Sequence, residues 1–178
     1  MKSLFNVFAI CGSTREQSSN LQLIQAVSHL AGNDMKIDLY ESISLLPHFN
    51  PDLDKETAPQ AVEQFRRRIE QANGVLICTP EYVFSLPGSL KNALEWTIST
   101  TLFAGKPTAI ITAAALGENA HASLRLIMKT MDARMTEETQ LHITGIRPKI
   151  DAAGNITDQA TSEKLGQLVT AFRNLMAV

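Results

Sequence analysis

Short apolar runs alternate with segments of helical periodicity along the chain, and no other feature constrains the fold as strongly. Five runs have the length and composition of strands: Leu4–Cys11, Met35–Tyr40, Val75–Cys78, Thr108–Ala113 and Gln140–Thr144. The segments between them are long enough for the helical crossovers that parallel strands need. The resulting order, β-α-β-α-β-α-β-α-β-α, predicts an α/β fold in which a five-stranded parallel sheet carries helices on both faces.

The helices are predicted from apolar residues spaced three or four positions apart. The most regular stripe is Val62, Phe65, Ile69 and Ala72. Similar stripes predict helices over Asn20–Ala31, Leu90–Ser99 and His121–Met131. Asp158 is placed to cap a final helix, because a carboxylate can accept from the free amides of a first turn.

The long segment Glu41–Pro59 has no sustained period, and it is predicted to be an irregular loop with exposed aromatic residues. Loops of this length in compact domains are often functional. His48 and Phe49 could line the mouth of a site from this loop, with surface placement as the more ordinary alternative.

Composition and charge argue against two classes of partner. The 178 residues are 44% apolar and 19% charged, which suits one domain over residues 1–178. The net charge of −2 argues against nucleic acid, and the run Arg66–Arg68 beside Glu63 and Glu70 is interpreted as a solvated helix face. No apolar run reaches the ~20 residues that span a bilayer, so no membrane partner is expected.

The two cysteines, Cys11 and Cys78, are too few for a disulfide framework and indicate a reducing cytoplasm. They end two of the predicted strands and are interpreted as buried structural thiols rather than as a redox pair. The four histidines share no metal-ligand spacing, so no metal site is predicted.

The loop after the first strand is rich in hydrogen-bond donors. It runs from Gly12 to Asn20 and contains Ser13, Arg15 and Ser18. The start of a helix favours an anion through its free N–H groups and its dipole, and these side chains would add donors around a phosphate. A plain capped loop is the alternative, although capping needs only one such residue. With a single glycine the loop lacks a dinucleotide or P-loop fingerprint, so a monophosphate fits better than a pyrophosphate.

A second stretch, Thr79–Gly88, joins the third strand to the third helix. Such a connection lies at the carboxyl edge of a parallel sheet, where ligands bind. Two prolines and a glycine make it rigid, and its aromatic pair, Tyr82 and Phe84, is expected to be buried. We interpret the stretch as the wall or floor of a small-molecule site.

Both stretches resemble one known family. The motif G-S-T-R-x-x-S-x-N over residues 12–20 resembles the phosphate loop of the NADPH-dependent FMN reductases. The motif T-P-E-Y-x-x-S-x-P-G-x-L-K-N-A-L-E-W over residues 79–96 resembles the longer signature of that family. The family includes quinone, azo-dye and chromate reductases. The resemblance implies a flavodoxin-like three-layer sandwich with strand order 2-1-3-4-5, and bound FMN.

The resemblance assigns site residues by position. The FMN phosphate would be held by Ser13, Arg15, Ser18, Asn20 and Leu21. The isoalloxazine ring would lie along Pro80, Glu81, Tyr82, Val83, Phe84 and Ser85, mostly against backbone groups. In the third contact loop, residues 112–119, only Gly117 matches the family pattern clearly.

The chain departs from the family pattern at the second contact loop. Val83 stands where the family commonly has asparagine, and Phe84 stands where it often has glycine. The first change removes an amide, and the second adds an apolar wall. Glu81 is interpreted as a carboxylate that structures the loop rather than as an acid catalyst, and no catalytic side chain is assigned.

The function implied by the resemblance is an FMN-dependent NAD(P)H oxidoreductase. It would pass electrons from NADPH or NADH to a small acceptor (a quinone, flavin, azo compound or metal oxyanion) by a ping-pong mechanism. A flavodoxin-like electron carrier and a non-enzymatic flavin-binding sensor are the alternatives. Family members are usually homodimers or homotetramers, and the segments Leu90–Thr100 and His121–Met131 are the candidate interface helices.

Overall fold

A five-stranded parallel sheet forms the centre of the structure. The computed structural model describes residues 4–41, 43–55 and 57–178. The strands are β1 Phe5–Cys11, β2 Met35–Tyr40, β3 Gly74–Thr79, β4 Thr108–Ala114 and β5 Gln140–Thr144. Every neighbouring pair runs parallel, in the order β2-β1-β3-β4-β5. The predicted parallel sheet and its strand order are therefore confirmed.

Five α-helices cover the two faces of this sheet in the described part of the chain. They are α1 Ser19–Ala31, α2 Gln60–Gln71, α3 Gly88–Glu95, α4 Glu118–Thr130 and α5 Gln159–Met176. The carboxylate of Asp158 accepts from the Thr161 amide at 2.8 Å, which confirms the predicted cap of α5. No helix among these residues is both long and apolar enough to cross a membrane.

Strand β3 shows how the sheet separates two apolar cores. All six of its residues are buried. Val75 and Ile77 belong to the core under α2, α3 and α4, whereas Leu76 and Cys78 belong to the core under α1 and α5. Side chains of a strand alternate between faces, so a strand covered on both sides is apolar throughout.

Helix α3 is shorter than the predicted Leu90–Ser99, because it ends at Glu95. Beyond that point the amides of Thr97 and Ile98 donate three residues back, to Leu94 and Glu95. The Thr97 hydroxyl also donates to the Leu94 carbonyl at 2.7 Å. These bonds tighten the chain into turns of the kind that satisfy the carbonyls at a helix end.

The described residues of the segment Glu41–Pro59 are irregular as predicted, apart from two single-turn 3₁₀ helices, but Phe49 is not exposed. Phe49 is half-buried and packs edge-on against Trp96, with ring centroids 5.1 Å apart. Asn92 holds the same loop: its Oδ1 accepts from the Phe49 amide at 2.7 Å, and its Nδ2 donates to the Pro47 carbonyl at 3.0 Å. The indole of Trp96 donates to that carbonyl as well, at 2.7 Å.

The basic run Arg66–Arg68 is only partly a solvated face, because two of its three guanidinium groups are anchored. Arg66 pairs with Asp54 at 2.7 Å and donates to the Trp96 carbonyl. Arg68 lies 4.9 Å from the centroid of the Phe8 ring and also pairs with an aspartate of β2. Arg67 alone of the three is exposed.

We expect Asn92→Ala to lower the free energy of unfolding by about 2 kcal/mol, because two hydrogen bonds to partly buried backbone groups are lost. The matched control is Lys91→Ala in the same helix. It removes an exposed ion pair with Glu95 and should cost less than about 0.5 kcal/mol. Urea unfolding monitored by Trp96 fluorescence measures the free energy of unfolding of both variants. Equal losses of stability in the two would contradict the role of Asn92 in holding the loop.

Candidate functional site

A cavity of about 510 Å³ opens at the carboxyl edge of the sheet. Four connections surround it: the loop before α1, the loop after β3, the end of β4 and the loop after β5. The residues that line it are Ser13, Arg15, Ser18, Ser19, Asn20, Pro80, Glu81, Tyr82, Ala113, Ala114, Ala115, Gly145, Ile146, Arg147 and Pro148. The cavity therefore lies where the sequence placed the small-molecule site.

The cavity brings together one part of the predicted cofactor-binding set. The lining includes Ser13, Arg15, Ser18, Asn20, Pro80, Glu81 and Tyr82. It does not include Leu21, Val83, Phe84, Ser85 or Gly117. Leu21 lines a neighbouring cavity of about 410 Å³ beyond the loop after β1, together with Ser13 and Arg15.

Hydroxyl groups and a helix terminus meet at one end of the cavity. Ser18 is the N-cap of α1, and its Oγ accepts from the Asn20 amide at 3.3 Å. Ser13 Oγ accepts from the Arg15 amide at 3.4 Å. A hydroxyl that accepts one hydrogen bond can still donate another, so the Ser13 O–H can donate to a ligand. The first turn of α1 adds backbone N–H groups and a positive dipole end, so this end suits an anion.

Asn20 has a structural role that its place in the motif does not reveal. Its Nδ2 donates to the Ala113 carbonyl at 3.2 Å, and its Oδ1 accepts from the Cys78 thiol at 3.3 Å. Burial raises the pKa of Cys78 well above its usual value, so the thiol keeps the proton it donates. The side chain thus ties the start of α1 to the ends of β3 and β4.

The stretch after β3 closes into a tight hairpin. Tyr82 and Ser85 exchange two backbone hydrogen bonds, each of 3.0 Å. Between them Val83 and Phe84 have φ angles of 50° and 56°, as a two-residue type I′ turn requires. Glycine and asparagine favour this conformation, whereas it strains a β-branched or bulky residue by about 1–3 kcal/mol.

The expectation of a buried aromatic pair in this stretch is wrong. Tyr82 is 43% exposed and Phe84 is 70% exposed, while Val83 is 94% exposed. The reason is geometric, because a two-residue turn reverses the direction of the chain over only two residues. The side chains at its tip therefore have no neighbouring segment to pack against.

Glu81 connects this stretch to the next helix. Its carboxylate accepts from the amides of Gly117 and Ala120, at 3.2 and 2.9 Å. Gly117 precedes the first turn of α4 and offers no side-chain cap, so Glu81 satisfies that helix end from a distance. Gly117 has a φ of 98°, and a Cβ there would lie 2.9 Å from His142 Nε2. The positive φ and the close contact together explain why a glycine occupies this position, and no contact with a ligand is needed to explain it.

Sequence reasoning missed the loop after β5 as a wall of the cavity. Residues 145–148 line it, and Arg147 is the second arginine of the lining, with Arg15. No motif marks this loop. Its place in the chain could have indicated it, because β5 also ends at the carboxyl edge of the sheet and Gly145 follows the strand directly. The small residues Ala113–Ala115 at the end of β4 form the adjoining wall.

Two histidines stack behind the third contact loop. The rings of His121 and His142 lie 5.4 Å apart at an angle of 20°. His121 Nδ1 lies 3.0 Å from the Thr112 hydroxyl, and His142 Nε2 lies 2.7 Å from the Leu116 carbonyl. Within the described ranges no group of three or more histidine, cysteine or acidic side chains could hold a metal ion.

Burial, followed by the charges of His142 and Arg125, lowers the pKa of His121 from 6.5 to about 4. Between these two values the unfolded chain binds more protons than the folded chain, so stability falls as the pH falls from 6.5 towards 4. We expect His121→Asn, which cannot titrate, to lose less stability over that range. Urea unfolding at several pH values measures this, and parallel pH profiles would contradict it.

Comparison with known proteins shows which proteins this chain is similar to. A family model described as NADPH-dependent FMN reductase matches residues 5–146. A 2-hydroxy-1,4-benzoquinone reductase from Burkholderia sp. is 35% identical over 165 residues, which cover 89% of each protein. A quinone reductase from Escherichia coli (strain K12) is 32% identical, over 97% of this chain and 95% of its own. The structure of FerB, a flavoenzyme NAD(P)H:(acceptor) oxidoreductase from Paracoccus denitrificans, matches with a TM-score of 0.85 and 31% identity, covering 97% of both chains.

Proposed function

The chain belongs to the NADPH-dependent FMN reductase family, and from that membership we propose that it transfers electrons from NAD(P)H to small acceptors of the quinone class. Membership makes it an oxidoreductase with FMN and NADPH or NADH as its cofactors. Quinones are preferred to flavins, azo compounds and metal oxyanions as the acceptor because quinone reductases recur among its relatives. One FMN-binding domain, residues 1–178, would carry the whole activity.

The observation that carries the proposal is one cavity lined both by the polar residues at the start of α1 and by the loop after β3 with the small residues that end β4. Ser13, Arg15 and Ser18, with the first turn of α1, would hold the FMN phosphate. Pro80–Tyr82 and Ala113–Ala115 would lie along the ring. When bound, FMN supplies the hydride chemistry, and the protein supplies binding, orientation and electrostatics.

The side chains around the cavity favour a mechanism without an obligatory protein acid or base. Glu81 is the carboxylate in the lining, and both of its oxygens are engaged by backbone amides. With one side of the ring against the loop after β3, NAD(P)H and the acceptor would use the other side in turn. In the overall reaction NAD(P)H, a proton and a quinone give NAD(P)⁺ and a hydroquinone. Ping-pong kinetics follow from this alternation.

We expect the purified chain to bind FMN and, without oxygen, the flavin absorbance to bleach on addition of NADPH or NADH. Arg15→Ala should weaken FMN binding roughly 10- to 100-fold, because a charge-assisted contact to phosphate is worth about 1.5–3 kcal/mol. Arg67→Ala, an exposed arginine on α2, is the matched control. Fluorescence titration measures the affinities.

Three results would contradict parts of this proposal. A chain that binds no FMN would contradict the whole of it. Bound flavin that neither nucleotide reduces would favour the electron carrier. Equal losses of FMN affinity in the Arg15 and Arg67 variants would remove Arg15 from the phosphate site.

We also propose a homodimer or homotetramer, assembled through the faces of α3 and α4, in the cytoplasm. An apolar groove of about 420 Å³ runs between these helices. Its lining includes Leu94, Ile98, Leu126, Ile127 and Met131. Ile98 is 58% exposed and Leu126 is 66% exposed, which is unusual for two apolar residues that line the same groove. The free, buried thiols of Cys11 and Cys78 suit a reducing compartment.

We expect Leu126→Glu to convert the oligomer into a monomer of about 19.5 kDa, because the variant places a charge in the apolar groove. Leu30→Glu is the matched control. Leu30 is also an exposed leucine, at 48%, but it lies near the C-terminal end of α1 and does not line the groove. Sedimentation velocity measures the masses. A wild-type chain that sediments as a monomer would contradict the proposal.

A further inference from the structure

The tip of the hairpin after β3, defined here as Val83 and Phe84, combines two features that disfavour each other. Both residues have left-handed backbone conformations. Both are also apolar and exposed, Val83 almost completely. An asparagine–glycine pair would form the same turn with less strain and with a more soluble surface. The requirements of folding therefore do not account for the residues found there.

The surroundings of the tip do not compensate for it. The hairpin is held below the tip, through the two Tyr82–Ser85 hydrogen bonds and the anchoring of Glu81 to the start of α4. Neither Val83 nor Phe84 belongs to the two apolar cores of the described residues. A strained conformation that is held by its flanks and offers apolar groups to solvent is suited to contact with a ligand.

The tip adjoins the cavity along the chain, because Val83 follows directly on Tyr82, which lines the cavity. We propose that the tip is an acceptor-specificity element, which contacts the apolar substituent of a quinone whose ring enters the cavity. This inference rests on the proposed function and adds to it a preference for acceptors that carry an alkyl or aryl substituent.

The chemistry of the tip disfavours contact with the sugars and phosphates of the other substrate. Beyond its nicotinamide ring, NAD(P)H consists of an adenine ring and of sugars and phosphates, and the sugars and phosphates require hydrogen-bond donors or cations. The side chains of Val83 and Phe84 offer neither. An apolar substituent gains free energy by leaving water against such groups, without any directional requirement.

The test compares two double variants of the full chain. V83N/F84G keeps the turn and removes the apolar surface, whereas V83I/F84L keeps both the apolar surface and the strain. The measured quantity is the ratio of kcat/KM for decyl-substituted benzoquinone to kcat/KM for unsubstituted 1,4-benzoquinone, with NADPH as donor. We expect this ratio to fall about 10-fold in V83N/F84G, as the lost contact of a partly buried side chain predicts. It should stay within about twofold of wild type in V83I/F84L.

A second measurement does not depend on activity. V83N/F84G should unfold at a higher urea concentration than the wild type, because its residues suit the turn. A variant that unfolds at the same or a lower concentration would contradict the claim that the tip is held at a cost in stability.

The outcomes separate this inference from the proposed function. If V83N/F84G leaves the ratio of the two quinones unchanged, the tip does not contact the acceptor and the inference is overturned. A ratio that falls only together with a change of sedimentation would also overturn it, in favour of contact with a second copy of the chain. Failure of the proposed function shows in the wild type instead, as a chain that reduces neither quinone.

Discussion

The cavity depends on a close approach of two backbones where β1 and β3 end. The Gly12 amide donates to the Cys78 carbonyl at 2.8 Å, and a Cβ on Gly12 would lie only 2.4 Å from Thr79 Oγ1. A residue with a side chain would force these strands apart. Because glycine allows the contact, the serine-rich loop after β1 and the rigid connection after β3 leave the sheet side by side. Both connections therefore line one cavity.

The parts of the fold that could be predicted are those fixed by periodicity. Strand β3 is buried along its length because it is covered on both faces, and the stripe of α2 places Val62, Phe65 and Ile69 in the core. Such patterns are local and strong. The end of α3 was misplaced because hydrogen bonds made by Thr97, rather than the apolar pattern, end the helix.

The candidate site could be predicted in part, for a related reason. The loop after β1 was found because its donors are clustered in sequence. The loop after β5 was missed because no sequence motif marks it. Arg147 lies at the cavity because the strand order places β5 beside β4. Burial of Tyr82 and Phe84 was expected from their apolar character, and the geometry of a two-residue turn overrode it. Chain reversal is decided by backbone dihedral angles, which composition does not show.

Much of the motif that carries the family resemblance builds the architecture around the cavity. Glu81 satisfies the start of α4, while Asn92 and Trp96 hold the loop at Pro47. Asn20, in the other motif, joins α1 to two strands. Motif residues of this kind predict the fold more directly than they predict the chemistry. They also explain how the chain keeps a cavity in the expected place although its third contact loop differs from the family pattern.

The two departures from the family pattern have different physical consequences. At residues 112–119 the framework is held by contacts to backbone groups: Glu81 binds amides and Asn20 binds a carbonyl of β4. Most side-chain changes in the loop leave such backbone contacts in place. The framework around the cavity is therefore kept although the sequence of this loop differs. At Val83 and Phe84 the backbone hydrogen bonds of the turn also survive, but the changed side chains are exposed beside the cavity. A difference in chemistry between this chain and its relatives should therefore arise at the hairpin tip rather than at the third loop.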